Sequence, residues 1–546
     1  MQPSVQPLDT NQPPPFEGRN LYATNGLLRH AVERHGATWA HARLEDWGAT
    51  LGAADTFALA DRANRHAPEL RTHDRYGTRV DEVDFDPAWH ALMTLAMREG
   101  EHASPWSQPR PGAQVARAAA YLMHAAVENG TQCPLTMTYA AYPALRRHAA
   151  ALPWIESTWL PRLLSPDYDA RSTPVAGKTS ALIGMGMTER QGGSDVRSNA
   201  TRATRTDDGS YRLDGSKWFF SAPMCDAHLV LAQAASGLSC FFLPRFLPDG
   251  SRNAVRLQRL KDKLGNRSNA SSEVEFAGAT AWLLGEEGRG VAVIIEMVRH
   301  TRLDCVIGSA GLIHGVAAQA IHHARHRRAF GKRLVDQPLM QNVLADLVLE
   351  DAAATALSMR LAAAFEATES GPDATLARLA TPALKYWVCK RAAPTAAEAL
   401  EVLGGNGYVE ECPLPRAYRE APLNSIWEGS ANVMCLDVLR AAQREPAAVD
   451  ALLGELALSR GANALLDARV RELGDALAAR PGERDARRLS ATIALTLAGS
   501  LLVRHADAAI ADAYCASRLD AQPAGAFGML APACDVATIL ARASPH

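Results

Sequence analysis

Near Leu182 the apolar pattern changes its period, and near Gly290 it changes back. From about Leu21 to Met123, stretches such as LRHAVERHGATWAHARLEDWGATL and WHALMTLAMREG space their apolar residues three to four apart, the period of one helix face. Between the two changes the apolar runs are short or alternating, and Gly, Asp, Asn and Pro separate them. GSYRLDGSKWFFSAP, AHLVLAQAASGLSCFFLPRF, NAVRLQRL and SSEVEFAGA read as strands of an antiparallel sheet, with DDGS (207–210) as a hairpin turn. After Gly290 helical spacing resumes. A chain of 546 residues is too long for one core. The order predicts an α+β chain with an N-terminal arm and helical domain (1–181), an antiparallel β domain (182–289), a helical bundle (290–440) and an appended helical domain (441–546).

The net charge of -2 gives no global attraction to nucleic acid or to an acidic membrane. The nine cysteines are odd in number, scattered, and never in a CxxC pair, which predicts a reduced, cytoplasmic protein without zinc or disulfides. The start, MQPSVQPLDTNQPPPFEGRN, lacks the charged and apolar regions of a signal peptide and is expected to be an extended arm. SATIALTLAGSLLV (490–503) is too short to cross a bilayer core of about 30 Å. It is expected to be a buried helix, and no membrane partner is expected.

Three stretches carry candidate chemistry. GMGMTERQGGSDV (184–196) is too glycine-rich for a helix interior, where each Gly costs about 1 kcal/mol against Ala. It offers backbone N–H groups and a hydroxyl to a polar ligand, or else forms a tight turn. EVLGGNGYVEECPLPRAYRE (401–420) breaks a helix at Gly404, Gly405 and Gly407, without a dinucleotide-binding GxGxxG. In NSIWEGSANVMCLDVLR (424–440), Glu428 stands beside Trp427 in an apolar setting. Desolvation there raises a carboxylate pKa toward that of a general base working near neutrality. The alternative is a helix-start Glu answering the macrodipole. His322 and His326 are four apart on a helix, but no carboxylate or Cys stands at ligand spacing, so no metal is expected.

Together these stretches resemble the acyl-CoA dehydrogenase family. GMTERQGGSDVRS and EVLGGNGYVEECPLPRAYRE fit its two signatures. KWFFSAP is similar to its flavin-facing Trp-Ile-Thr strand, and RRAFGKRLVDQPLMQNVLADL to its Arg-x-x-Phe-Gly helix pair. PELRTHDRYGTRVDEVDFDPAWHALM, LKDKLGNRSNASSEVEF and the extra C-terminal block resemble the AidB branch, flavoproteins of the bacterial adaptive response to DNA alkylation. The resemblance implies a homotetramer that binds FAD. It implies FAD contacts from Met185, Met187, Thr188, Gly193, Ser194, Phe219, Phe220 and Ser221, and from Gly404, Gly405 and Asn432. Arg327, Phe330 and Gln337 would reach a neighbouring subunit's FAD, and Gly404 and Gly405 would let that FAD approach the backbone. Ser194, Arg302 and Gly429 would meet an acyl-CoA substrate, and Glu428 would remove its α-proton.

Many members have Tyr-Glu-Gly-Thr where this chain has Trp427-Glu428-Gly429-Ser430, so the larger indole is expected to narrow the acyl pocket. Where other members place their base beside the position of Arg302, this chain has Thr301. The AidB resemblance further implies binding of double-stranded DNA and its protection from alkylation damage, with at most weak isovaleryl-type dehydrogenation. Residues 441–546 hold 11 Arg and no Lys against 12 Asp and Glu, so attraction must come from a local face. Arg480, Arg484, Arg487 and Arg488, joined by Arg504 and Arg518, are the candidates; an ordinary mixed-charge surface is the alternative. The rival functions are a metabolic short- or branched-chain acyl-CoA dehydrogenase with a C-terminal oligomerisation domain, and a catalytically idle flavoprotein.

Overall fold

The computed structural model describes residues 10–366, 371–520, 526–531 and 533–543. Nine strands matter here: β1 (Glu69–His73), β2 (Arg79–Asp84), β3 (Ile183–Gly186), β4 (Arg202–Arg205), β5 (Tyr211–Ser221), β6 (Ala227–Ala234), β7 (Gly237–Pro244), β8 (Val255–Leu260) and β9 (Ser271–Leu284). The principal helices are α1 (Ala113–Ala125), α2 (Gln132–His148), α3 (Gly290–His326), α4 (Pro338–Ala364), α5 (Pro372–Val402), α6 (Ala431–Arg444) and α7 (Ala486–His505).

The first helical block contains a hairpin that helical spacing does not predict. β1 and β2 pair antiparallel, and Asp74 closes their turn by accepting from the N–H groups of Tyr76 and Thr78. Arg79 at the start of β2 donates to the carbonyl of Leu257 in β8, so the hairpin docks on the β domain.

The sheet of the β domain is mixed rather than antiparallel throughout. β6 pairs with β7, β7 with β9, β9 with β5, and β5 with β4, all antiparallel; a parallel bridge from Arg202 to Gln233 joins β4 back to β6 and closes the ring. β3 lies parallel to β6, because it enters from the helical domain and no hairpin sets its direction. The turn at 207–210 forms as expected, with Asp208 accepting from Ser210 N–H and Gly209 at φ 84. Phe220, Phe241, Leu243, Val274 and Phe276 fill the sheet interior.

α3 is the spine of the helical bundle and packs against α1, α2, α4 and α5. The helices after 441 do not stand apart: Leu452, Leu473, Ile493 and Leu497 share one apolar core with Leu347, Leu384 and Val438. α6 spans the 440/441 division. Two segments, Gly290–His326 and Glu483–His505, are long and apolar enough to cross a membrane, but most of each is buried within the fold. The run 490–503 lies in the second, as a buried helix.

Close helix contacts in this spine rest on glycine. A Cβ on Gly311 of α3 would stand 2.1 Å from the carbonyl oxygen of Leu122 in α1, and backbone cannot step aside as a side chain can. Gly311→Ala is expected to destabilise by about 1–3 kcal/mol through overpacking. Gly454, in the helix Pro446–Ala457, has open space at its Cβ, so Gly454→Ala is expected to stabilise by about 0.5–1 kcal/mol. Thermal unfolding of the holoprotein reads both, and a neutral Gly311→Ala contradicts the packing argument.

Candidate active site

Glu428 has φ 58, a left-handed conformation that costs a non-glycine residue about 1–3 kcal/mol and persists only where the surroundings enforce it. Two cations enforce it here. The Lys385 ammonium on α5 donates to the carbonyls on both sides, of Trp427 at 2.6 Å and of Gly429. Arg302 Nε on α3 donates to the carbonyl of Glu428 itself at 3.0 Å, and its Nη1 pairs with Asp437 at 3.0 Å. Gly429 follows at φ 100, where a Cβ would meet the Met434 methyl at 2.5 Å. The indole of Trp427 is pinned by a bond from Nε1 to Asn424 Oδ1 at 2.8 Å.

Among the described residues the carboxylate so placed has one side-chain hydrogen-bond partner: Thr301 Oγ1, 2.5 Å from Oε2. Burial raises the pKa of Glu428; the Thr301 hydroxyl, then Lys385 and Arg302, oppose that rise. Thr301 Oγ1 also lies 3.0 Å from the carbonyl of Val298, so its single proton is shared between two acceptors. The structure gives two residues of this site roles that the sequence does not show. Thr301, in the position other members give to a base, orients Glu428. Lys385 is a lone charge in the apolar run ATPALKYWV, and its burial is the signal that marks it. Arg302, expected to meet substrate, is buried and braces the loop from within.

The β-domain rim comes next. Lys217 pairs with Val274 and Phe220 with Ser272, so β5 carries one extra residue, a bulge that shifts its phase. The bulge turns Phe219 outward, 49% exposed. It also corrects the expectation for Phe220, whose ring is fully buried and stacked on His228 at 4.0 Å and so presents no exposed face to a cofactor. Met185 is likewise buried in the core shared by the helical domain and the sheet, so its side chain is no cofactor contact. Three of the four glycines of 184–196 serve packing: a Cβ on Gly184 would strike His228, on Gly186 Phe220, and on Gly193 Thr188, whereas Gly192, at φ 153, has open space. Thr188 accepts from Trp218 N–H through its carbonyl, Met187 accepts from Asn199, and Ser194 is exposed. Among the described residues the Ser221 hydroxyl has one hydrogen-bond partner, the Ser271 hydroxyl at 3.4 Å.

A second group gathers around the N-terminal arm. Arg327 donates to the carbonyl of Asn11, Asn406 to Gln12, and His322 Nε2 lies 2.8 Å from the carbonyl of Pro14. The ring of Phe330 is 98% exposed, and Gln337 donates to the carbonyl of Ala329. Gly404 and Gly405 have open space where a Cβ would stand. These residues fit a large planar, phosphate-bearing cofactor. Phe219 offers an exposed aromatic ring beside the Lys261 ammonium, Thr188 and Ser221 offer hydroxyls, and the two glycines leave backbone approachable.

The arginines divide. Arg480, Arg484, Arg487 and Arg488 are exposed before and at the start of α7; Arg487 donates to Asn432 at 2.8 Å, and Arg488 pairs with Asp485. Arg504 and Arg518 are not surface groups. Arg504 pairs with Glu455 at 2.9 Å, and Arg518 with Asp346 and Glu350 inside the C-terminal core. Neither has its charge available to a polyanion, so both leave the expected DNA footprint.

Comparison with known proteins agrees with this geometry. Residues 11–170 match the adaptive response protein AidB N-terminal domain, 184–279 the acyl-CoA dehydrogenase middle domain, and 288–443 the acyl-CoA dehydrogenase C-terminal domain. The AidB protein of Escherichia coli strain K12 is 49% identical over 511 residues, covering 93% of this chain and 94% of that one. The structure of Caenorhabditis elegans ACDH-11 in complex with C11-CoA aligns at a TM-score of 0.85 and 27% identity over 93% of each chain. An acyl-CoA dehydrogenase from Bacillus anthracis complexed with FAD shares the fold, with a TM-score of 0.63 at 18% identity over 79% of this chain and 81% of that one. The chain belongs to the acyl-CoA dehydrogenase family, as an FAD-binding oxidoreductase of its AidB branch.

Proposed function

We propose that the chain oxidises the acyl group of a coenzyme A thioester, with Glu428 as the base that removes the proton α to the thioester carbonyl. The observation that carries this reading is the enforced left-handed Glu428, its carboxylate oriented by Thr301 and its backbone held by Lys385 and Arg302. What FAD supplies when bound is a two-electron acceptor for the hydride that leaves the β-carbon. The chain positions the carboxylate, and burial tunes it: a raised pKa makes Glu428 a stronger base once ionised. The resemblance of ACDH-11 in complex with C11-CoA supports an acyl-CoA ligand. The pinned Trp427 favours a short or branched acyl group.

A second reading rests on the exposed arginines 480, 484, 487 and 488 and on the likeness to AidB. In it the protein is a cytoplasmic homotetramer that binds duplex DNA and protects it during alkylation stress. The outward Phe330, Leu339 and Tyr408 supply apolar surface for subunit contact.

Anaerobic mixing with isovaleryl-CoA should bleach the flavin, and Glu428→Gln should slow the bleach by about 10²–10⁴ while FAD stays bound. A bleach at the wild-type rate in Glu428→Gln removes Glu428 from the reaction. The rate should rise with pH as Glu428 ionises. Thr301→Val removes a bond that favours the anion and should move this acid limb to higher pH, and Thr301→Ser should restore it. An unmoved limb in Thr301→Val contradicts the orientation argument.

Arg484→Ala with Arg488→Ala should lower the slope of log affinity for duplex DNA against log salt by about 1 for each phosphate no longer neutralised. An unchanged slope excludes this patch from the footprint.

A further inference from the structure

Where the N-terminal arm crosses the last turns of α3, the fold encloses a cavity of about 80 Å³. One water takes up about 10–15 Å³ of such space, so the cavity holds a body of roughly five to eight heavy atoms. A nucleotide or coenzyme A is too large for it. The lining is of two kinds. Phe16 of the arm, Phe57 of the helix Ala54–Arg65, Ala126, Ala318 and Ile321 supply carbon. Arg19, Gln319, His322, Arg325 and His326 supply hydrogen-bond donors, and among the described residues no carboxylate lines the cavity.

The charge of Arg19 is the least accounted for. Its Nη2 lies 3.2 Å from Nδ1 of His322, and its guanidinium stands 4.8 Å from the centre of the Phe16 ring. His322 Nε2 donates to the carbonyl of Pro14 at 2.8 Å, so Nδ1 accepts and Arg19 donates. Among the described residues Arg19 has no carboxylate at ion-pair distance. Arg325 lies in the last turn of α3, where its charge answers the macrodipole. Arg19 is brought by the arm to a helix end that already has that answer. Burial, and then the charges of Arg19 and Arg333, lower the pKa of Arg325, so like charges press on one another beside the cavity. The wall that carries Arg19 is fixed. Asn11 exchanges two hydrogen bonds with the backbone of Arg328, at 2.8 and 2.9 Å, and Gly18 N–H donates to the carbonyl of Gly52 at 2.8 Å.

We propose that this cavity is a second ligand site, for a small amphiphilic anion: a carboxylate on a short hydrocarbon chain, its charge met by Arg19 and its chain packed on Phe16, Phe57 and Ile321. A bare phosphate would leave the hydrocarbon lining unused. Thr301 and His322 stand about twenty residues apart on α3, roughly 30 Å along its axis, so this site and the one around Glu428 are separate. The site is independent of the acyl-CoA reading above.

The test titrates acetate, butyrate, hexanoate and decanoate into the FAD-loaded full chain by calorimetry, with the flavin spectrum recorded alongside, for the wild type, Arg19→Met, Arg19→Lys and Ala318→Leu. Affinity should rise about fourfold per methylene up to hexanoate and fall at decanoate, which is longer than the cavity holds. Arg19→Met should weaken hexanoate about tenfold, and Arg19→Lys, which keeps the charge, by less. Ala318→Leu fills the cavity and should abolish binding, and the flavin spectrum should stay unchanged throughout. Should Arg19→Met loosen the arm, Ala318→Leu still decides, because Ala318 takes no part in the arm's hydrogen bonds. No binding in the wild type, affinity that climbs on to decanoate, or hexanoate binding that survives Ala318→Leu overturns the site. Hexanoate binding that perturbs the flavin assigns the anion to the active site and overturns it likewise. Inorganic phosphate bound as tightly as hexanoate overturns the amphiphilic class of ligand.

Discussion

A single buried ammonium sets the geometry on which the active site depends. Lys385 comes from the middle of a long helix and holds the carbonyls on either side of Glu428, while Arg302, from the neighbouring helix, holds the carbonyl between them. Three consecutive carbonyls turned toward two cations fix the peptide planes around one residue. A left-handed glutamate is the conformation those planes demand. The carboxylate then meets Thr301 rather than solvent, and burial does the rest of the tuning. α3 and α5 pack directly against each other, so the clamp is as rigid as the bundle that carries it.

The β domain contributes by a local irregularity. Without the extra residue between Lys217 and Phe220, β5 would keep strict alternation. The bulge lets the same strand bury Lys217 and Phe220 and still present Phe219 at the rim. The buried Lys217 is paired with Glu189 at 2.7 Å, which also receives Thr201 and the Ala200 N–H. This network ties the first signature to the strand that bears Phe219. Gly184, Gly186 and Gly193 are then answers to internal crowding by His228, Phe220 and Thr188.

Much of this was legible in the sequence. Changes of hydrophobic period located the β domain, because a buried strand face and a helix face repeat differently. Glu428 beside an indole announced a desolvated carboxylate. The missed features share a cause: they depend on partners distant in the chain. ELRTH and RVDEVD are short charged strands inside a helical block and are stabilised by docking on β8. The bulge that hides Phe220 is a property of pairing with β9. Arg504 and Arg518 looked like surface cations because Glu455, Asp346 and Glu350 lie about 50 to 170 positions away. Lys385 shows no motif at all, only an improbable charge in an apolar run.

The central claim is that the enforced carboxylate of Glu428 is the base. Its most direct measurement is the exchange of α-hydrogens of a bound acyl-CoA with deuterated solvent, followed by NMR, since exchange reports proton removal without requiring oxidation. The account predicts exchange in the FAD-loaded wild type and its loss in Glu428→Gln with FAD still bound. Equal exchange in both proteins would contradict it.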